Sequence, residues 1–182
     1  MLAVPIFVTG FMGAGKSRVG RLLARRLGRA FLDTDEMVEA RAGKPIARIF
    51  AEDGENRFRA MERDCVAMAA RADAVVALGG GAILDPCTLA LVLRTGVLAW
   101  IEVDVDTILQ RVGRRDDRPL LAGLDPAQRR ARVESLLAAR LPWYQRAHVR
   151  VRSGAGSDPE DTALALQMAL EDWCAHHPRT AG

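Results

Sequence analysis

A glycine-rich segment near the amino terminus carries the clearest chemistry in this sequence. Gly10–Ser17 reads GFMGAGKS, which fits the pattern G-x-x-x-x-G-K-[ST], and it lies between an apolar run, Ile6–Thr9, and an amphipathic helical pattern. Glycines let consecutive backbone N–H groups and the start of a helix surround a phosphate anion. Lys16 supplies a positive charge to the β- and γ-phosphates, and the Ser17 hydroxyl is a ligand for Mg²⁺. The segment therefore predicts a nucleoside triphosphate site.

Two carboxylates follow the next strand-like run at a spacing of two residues. Asp33 and Asp35 flank Thr34, directly after the short apolar run that begins at Ala30. One carboxylate could lie beside a metal ion and the other beside an acceptor hydroxyl. The alternative interpretation is a helix N-cap, because Asp is favoured at that position, although a cap accounts for one aspartate more easily than for two. The sequence contains no Thr/Asn-Lys-x-Asp segment to read guanine, which disfavours a GTPase.

Apolar runs and helical patterns alternate along the chain and predict the scaffold for these groups. Short runs with the character of buried strands are Ile6–Thr9, Ala30–Asp33, Ala74–Leu78, Val97–Ile101 and His148–Val151. Helical patterns cover Val19–Leu27, with Gly28 as a stop, and Asp85–Arg94, Pro126–Leu141 and Asp158–Ala175. This alternation predicts an α/β fold in which helices cover both faces of a parallel sheet.

Two segments interrupt this alternation. Gly113–Leu124 is dense in charge, and Ser153–Pro159 is rich in glycine and serine. Both are predicted to be exposed loops that contact ligand.

Composition limits the class of protein. The 182 residues predict one domain, 1–182, and of the 26 basic residues only Lys16 and Lys44 are lysine, so that 24 are arginine. We interpret most arginines as solvated helix faces and some as anion sites. Interleaved acidic residues and few aromatics argue against nucleic acid binding.

The separated cysteines, Cys65, Cys87 and Cys174, predict reduced and mostly buried thiols. With no predicted signal peptide or membrane span, we expect a cytoplasmic protein that does not bind membranes. The sequence suggests no additional interface, so we expect a monomer.

Taken together, these motifs resemble the shikimate kinase family over nearly the whole chain. The matching stretches are Gly10–Ser17, Asp33–Asp35, Gly43–Ile46 with Phe50, Gly54–Glu62, Leu78–Ala82, Arg118–Leu121 and Arg140–Tyr144. The resemblance implies a three-layer P-loop kinase with a five-stranded parallel sheet, a substrate-binding region at about 34–62 and a mobile lid at about 113–124. It also implies phosphorylation of the 3-hydroxyl of shikimate by ATP with Mg²⁺, a step of chorismate and aromatic amino-acid biosynthesis.

The resemblance also implies roles for individual residues. Asp35 would hold the acceptor hydroxyl and act as the base, and Asp33 would position Mg²⁺ through water while Ser17 binds it directly. Arg59 and Arg140 would bind the substrate carboxylate, as two guanidinium forks can fix its orientation. The remaining implied contacts are the backbones of Gly80 and Gly81 against the ring hydroxyls, Lys16 at the phosphates, and Arg118 on the lid at the transferring phosphoryl group.

The predicted ATP site combines the phosphate-binding loop with residues from later segments. It comprises Gly13, Ala14, Gly15, Lys16, Ser17, Arg18, Arg111, Arg118 and Pro159. Arg18 stands where the family commonly has threonine, which affects one α-phosphate contact that a backbone N–H could replace. Arg111 and Pro159 are predicted to stack on the adenine.

Other interpretations remain open from the sequence alone. A gluconate-type or nucleoside-monophosphate kinase would share the phosphate-binding loop and lid but would not need the pair Arg59 and Arg140. A module that binds ATP without turnover would need neither Asp35 nor Arg118. Taken alone, Arg59 and Glu62 are typical of an i, i+3 ion pair on a helix, and Arg140 of a helix end before Pro142.

Overall fold

Five parallel strands form the central layer of the protein, in a computed structural model that describes residues 4–112, 121 and 123–177. Every strand pair is parallel, and the order across the sheet is β2-β3-β1-β4-β5. The strands are β1 (Ile6–Thr9), β2 (Ala30–Asp33), β3 (Ala74–Ala77), β4 (Val97–Glu102) and β5 (Val149–Arg152). The predicted five-stranded parallel sheet is therefore confirmed, with strand bounds within one residue of those expected.

The inner strands are apolar at consecutive positions because helices cover both faces of the sheet. All residues of β1 and β3 are buried, although successive side chains point to opposite faces. Phe7, Val8, Val76 and Leu98 have no exposed surface. This pattern confirms the three-layer α/β arrangement.

Eight α-helices connect and cover the strands in the described part of the chain. They are α1 (Lys16–Leu27), α2 (Thr34–Ala42), α3 (Ile46–Glu52), α4 (Gly54–Ala69), α5 (Pro86–Thr95), α6 (Val105–Val112), α7 (Pro126–Tyr144) and α8 (Pro159–His176). Three helices, α5, α7 and α8, begin with proline directly after an aspartate: Asp85, Asp125 and Asp158. The side chain of each aspartate accepts a backbone N–H in the first turn of its helix. Among the described residues, no helix is long and apolar enough to cross a membrane.

Several local expectations were wrong. The helix α7 continues through Pro142 to Tyr144, so Arg140 does not mark its end. Proline near the last turn removes only one helical hydrogen bond, and Tyr144 anchors that turn by donating to the carbonyl of Gly80 at 2.8 Å. Pro159 begins α8 and Ser153 is buried, so neither lies in an exposed loop. The three cysteines are not mostly buried as expected, since only Cys65 is buried and Cys174 is partly exposed. Cys87 is exposed in the first turn of α5.

The helices α2, α3 and α4 pack around a small hydrophobic cluster of their own. Its buried members are Val38, Ile49, Phe58, Met61 and Cys65. These helices connect β2 to β3, and the two strands are neighbours in the sheet. They include the predicted substrate-binding region, and α4 also packs on the main core through Val66 and Ala69.

Candidate active site

The parallel sheet brings three chain segments to one edge. Because β3 lies between β1 and β2, the residues that follow these strands are neighbours: Gly10 after β1, Thr34 after β2 and Gly79 beyond β3. The Thr34 hydroxyl accepts a hydrogen bond from the Gly79 N–H at 2.9 Å and joins two of these segments. Sequence reasoning assigned Thr34 no role, and its position between two aspartates was the only signal that it had one.

The phosphate-binding loop has the backbone shape that its glycines predict. Gly13 and Gly15 have φ angles of 78° and 86°, a region that side chains with a Cβ rarely adopt. Gly15 directly precedes α1, so the amino-terminal N–H groups of this helix face the loop. The Lys16 ammonium donates to the carbonyls of Gly10 and Phe11, at 3.0 and 3.3 Å. The loop therefore places a lysine and a helix terminus around one point, which suits a phosphate anion.

A cleft of about 740 Å³ opens beside this loop. Every described residue that we predicted for ATP lines it: Gly13, Ala14, Gly15, Lys16, Ser17, Arg18, Arg111 and Pro159. Asp33 and Asp35 line the same cleft. Sequence reasoning did not single out Arg21, Gln110 and Ser157, which also line it. Arg118, the remaining predicted residue, lies outside the described residues.

Arg111 joins the phosphate-binding loop to the loop after β5. Its guanidinium donates to the carbonyl of Gly13 at 3.2 Å, to the carbonyl of Gly154 at 2.8 Å and to the hydroxyl of Ser153 at 3.2 Å. These contacts fix the two walls of the cleft relative to each other. The predicted stacking of Arg111 and Pro159 on adenine stays a prediction.

Asp33 and Asp35 have different surroundings, although only Thr34 separates them. Asp33 is buried at the end of β2, and its Oδ1 accepts the Asp35 N–H at 3.0 Å and caps α2. The cap uses one oxygen of Asp33, so the interpretation as a cap and the interpretation as a metal ligand are compatible. Asp35 is partly exposed to the cleft. The two aspartates can therefore serve two tasks.

Gly79 is the point at which Asp35 meets Glu62. A Cβ built on Gly79 would lie 2.8 Å from Oδ1 of Asp35 and 2.5 Å from Oε1 of Glu62. Burial raises the pKa of the Glu62 carboxyl, and the nearby Asp35 raises it further, while Arg59 and Arg140 act in the opposite direction. Glu62 thus belongs to one electrostatic cluster with three of the predicted site residues.

We expect Gly79→Ala to lower kcat/KM by about 100-fold while the protein stays folded. The added methyl group would displace the carboxylate of Asp35 and that of Glu62, which is buried and paired with Arg59, so we also expect a lower unfolding temperature. Steady-state kinetics and a thermal unfolding curve on the same preparation check this prediction. Unchanged kcat/KM in the folded variant would contradict it.

Arg59 and Arg140 approach the glycine segment from two helices. On α4, Arg59 donates to Glu62 at 2.7 Å, and its guanidinium lies against Gly81, where a Cβ would be 3.1 Å from Nη1. On α7, Arg140 is only 8% exposed and donates to the Gly80 carbonyl at 3.3 Å. The i, i+3 ion pair anticipated from the sequence is therefore present, and it is part of this cluster.

Tyr144 is a residue of this cluster that sequence reasoning did not single out. Its hydroxyl donates to the same Gly80 carbonyl as Arg140, and its ring stacks on Trp100. Burial raises the pKa of the Tyr144 hydroxyl, which keeps it a hydrogen-bond donor. Its position one helical turn after Arg140 was the available signal.

The structure thus divides the predicted residues into two adjacent groups. One group lines the cleft. The other consists of Gly80 and Gly81, in the segment after β3, and of Arg59 and Arg140, which flank that segment. Asp35 belongs to both, because it lines the cleft and faces Glu62 across Gly79. A Cβ on Gly80 would lie 3.7 Å from the Lys16 ammonium, so the two groups meet there as well.

Comparison with known proteins decides which kinase this arrangement represents. The family model described as shikimate kinase matches residues 12–171. The chain belongs to the shikimate kinase family. It is 43% identical to the shikimate kinase of Moorella thermoacetica over 92% of this chain and 95% of that protein, and 47% identical to that of Symbiobacterium thermophilum over 91% and 96%.

Solved structures of shikimate kinases have the same fold. Shikimate kinase from Acinetobacter baumannii in complex with shikimate superposes with a TM-score of 0.85 at 35% identity, over 93% of this chain and 94% of that one. A sugar kinase from Janibacter sp. HTCC2649 and an APS kinase from Mycobacterium tuberculosis share only the fold, with 15% and 18% identity. Membership of the shikimate kinase family therefore disfavours the gluconate-type and nucleoside-monophosphate kinase alternatives.

Proposed function

We propose that this chain transfers the γ-phosphoryl group of ATP to the 3-hydroxyl of shikimate, giving shikimate 3-phosphate and ADP for chorismate and aromatic amino-acid biosynthesis. The observation that carries the proposal is the position of Asp35. Its side chain lines the phosphate cleft and also faces the cluster of Glu62, Arg59 and Arg140. A base at this boundary suits the transfer of a phosphoryl group between the two sites.

The acceptor would lie against the backbone of Gly80 and Gly81. Arg59 and Arg140 flank that segment from α4 and α7, so two guanidinium groups from separate helices can bind one carboxylate. Contacts from two directions restrict rotation of the bound acid, which places its hydroxyl toward Asp35. A neutral sugar has no carboxylate to form a charge-assisted, bidentate pair with either arginine.

The reaction would proceed by in-line transfer. The acceptor hydroxyl oxygen attacks the γ-phosphorus, the bond from that phosphorus to the β,γ-bridging oxygen breaks, and ADP carries away the bond electrons. The hydroxyl proton passes to the carboxylate of Asp35. Lys16 and the N–H groups at the start of α1 would stabilise the charge on the phosphate oxygens.

The donor set at the cleft fits Mg²⁺. The Ser17 hydroxyl and the Asp33 carboxylate line the cleft together, and both are hard oxygen ligands. Among the described residues no group of three His, Cys, Asp or Glu side chains could enclose a metal ion. That suits Mg²⁺ in kinases, which is bound through one or two protein oxygens together with phosphates and water. When bound, Mg²⁺ neutralises phosphate charge.

The resemblance to the family supports two further assignments. Arg118 would bring a guanidinium to the transferring phosphoryl group when the lid, at about 113–124, closes. The resemblance also supports a cytoplasmic monomer without a membrane partner, and the acidic residues that interleave with the arginines argue against a nucleic-acid partner.

Release of ADP from ATP and Mg²⁺, with and without shikimate, tests the proposed function. Gluconate and AMP serve as competing acceptors in matched reactions. We expect strong stimulation by shikimate alone. Turnover on gluconate or AMP without stimulation by shikimate would overturn the substrate assignment, and no turnover on any acceptor would favour a protein that only binds ATP.

A further inference from the structure

The Arg59 guanidinium has all three of its nitrogen atoms directed at groups of the protein. Nε and Nη2 donate to Oε1 of Glu55 at 3.3 and 3.2 Å, and Nη1 donates to Oε2 of Glu62 at 2.7 Å. A Cβ on Gly81 would lie 3.1 Å from Nη1, 3.3 Å from Nη2 and 3.6 Å from Cζ, so the Nη1–Nη2 edge points at the Gly81 backbone. Glu55 thus already occupies the Nε–Nη2 edge, one of the two edges that could bind a carboxylate with two hydrogen bonds, and Glu62 occupies Nη1.

The two glutamates differ in how readily they can release Arg59. The side chain of Glu62 is 5% exposed, whereas that of Glu55 is 63% exposed. Breaking the contact with Glu62 would leave a buried carboxylate without its main partner, which is costly. Glu55 would exchange its two long hydrogen bonds for water, and exposed ion pairs of this kind contribute little stability.

We propose that Glu55 competes with the carboxylate of the acceptor, which displaces the Glu55 carboxylate from the Nε–Nη2 edge of Arg59. The inference rests on the proposed function, which assigns Arg59 to the acceptor carboxylate. Glu62 stays bound to Nη1 during the exchange and keeps the guanidinium plane oriented. Glu55 moves into solvent.

This exchange would make Glu55 a competitor of the acidic acceptor. An acidic acceptor replaces one carboxylate by another, so Arg59 remains paired and the net loss is small. A neutral acceptor offers no anion, and Arg59 keeps its contact with Glu55. The contact therefore weakens binding of the acidic substrate slightly, and binding of a neutral analogue, which leaves the contact intact, is not weakened in this way.

Replacement of Glu55 tests the exchange. We expect Glu55→Gln to lower KM for shikimate about two- to fivefold, with kcat and KM for ATP close to those of the unaltered protein. Unchanged or higher KM for shikimate would overturn the proposal, because Glu55 would then be irrelevant or would hold Arg59 in its productive position.

A second variant separates contact from charge. Glu55→Asp keeps the negative charge, but its side chain is one methylene shorter, which moves the carboxylate away from Nε and Nη2 at an unchanged backbone position. We expect Glu55→Asp to lower KM for shikimate as Glu55→Gln does. KM equal to that of the unaltered protein would overturn displacement and indicate a through-space effect of the charge.

Glu134→Gln is the matched control. Glu134 pairs with Arg130 on an exposed face of α7, also at i, i+4, so the substitution removes the same kind of charge away from the acceptor cluster. We expect no change in KM for shikimate, and a decrease as large as that of Glu55→Gln would overturn the proposal. Turnover by the unaltered protein separates the two hypotheses: its absence would contradict the proposed function, whereas normal turnover with unchanged KM in Glu55→Gln would contradict only the role of Glu55.

Discussion

Asp35→Asn is expected to lower kcat for shikimate phosphorylation by about 10²–10⁴ while leaving KM for ATP within about twofold. The amide keeps the size of the side chain but cannot accept the hydroxyl proton. Asp35 does not form the N-cap of α2, which uses the side chain of Asp33, so the helix should keep its start. Loss of the base should therefore affect the chemical step more than the fold.

Steady-state kinetics with a thermal unfolding curve test the role of Asp35. Glu36→Gln is the matched control, since Glu36 is the next residue on α2 and its exposed carboxylate pairs with Arg21 at the surface. We expect kcat of the control to stay near that of the unaltered protein. Equal losses in both variants, or Asp35→Asn with normal kcat, would contradict the assignment of Asp35 as the base.

Arg140→Lys is expected to raise KM for shikimate by about 30-fold or more, with a much smaller effect on KM for ATP. Arg140 is almost fully buried, donates to the Gly80 carbonyl and lies over the ring of Phe11, with Cζ 5.2 Å from the ring centroid. Lysine keeps the charge but loses the planar fork that can bond to a carboxylate and to Gly80 together.

Arg132→Lys on the same helix is the control for Arg140. Arg132 is exposed and distant from the glycine segment, so both KM values should remain unchanged. Binding of ATP and shikimate is measured separately, because substrate affinity is the quantity that should change. If Arg140→Lys weakened ATP binding as strongly as shikimate binding, the assignment of Arg140 to the acceptor carboxylate would be wrong.

Local patterns in the sequence were sufficient to predict the nucleotide half of the site. Gly10–Ser17 is contiguous, and its glycines, its lysine and the helix that follows form one local structure, so spacing alone describes it. The inner strands β1, β3 and β4 were also predictable, because a strand buried on both faces must be apolar at nearly every position. In the same way, Asp-Pro pairs marked the starts of helices such as α7 and α8.

The acceptor half depended on the tertiary structure. Arg59, Gly80 and Arg140 lie in three separate segments, and only the packing of α4 and α7 against the end of β3 brings them together. The sequence offers 24 arginines with no local feature that ranks them, so their assignment required a family resemblance.

Some interactions could not be predicted because several partners were available to each side chain. The sequence places both Glu55 and Glu62 within reach of Arg59 on one helix, but only the structure decides that Glu62 is buried and Glu55 is exposed. The position of Glu62 also requires Gly79, because a Cβ there would lie 2.5 Å from its Oε1. The sequence by itself thus determined where phosphate binds, and burial in the folded chain decided which charges surround the acceptor.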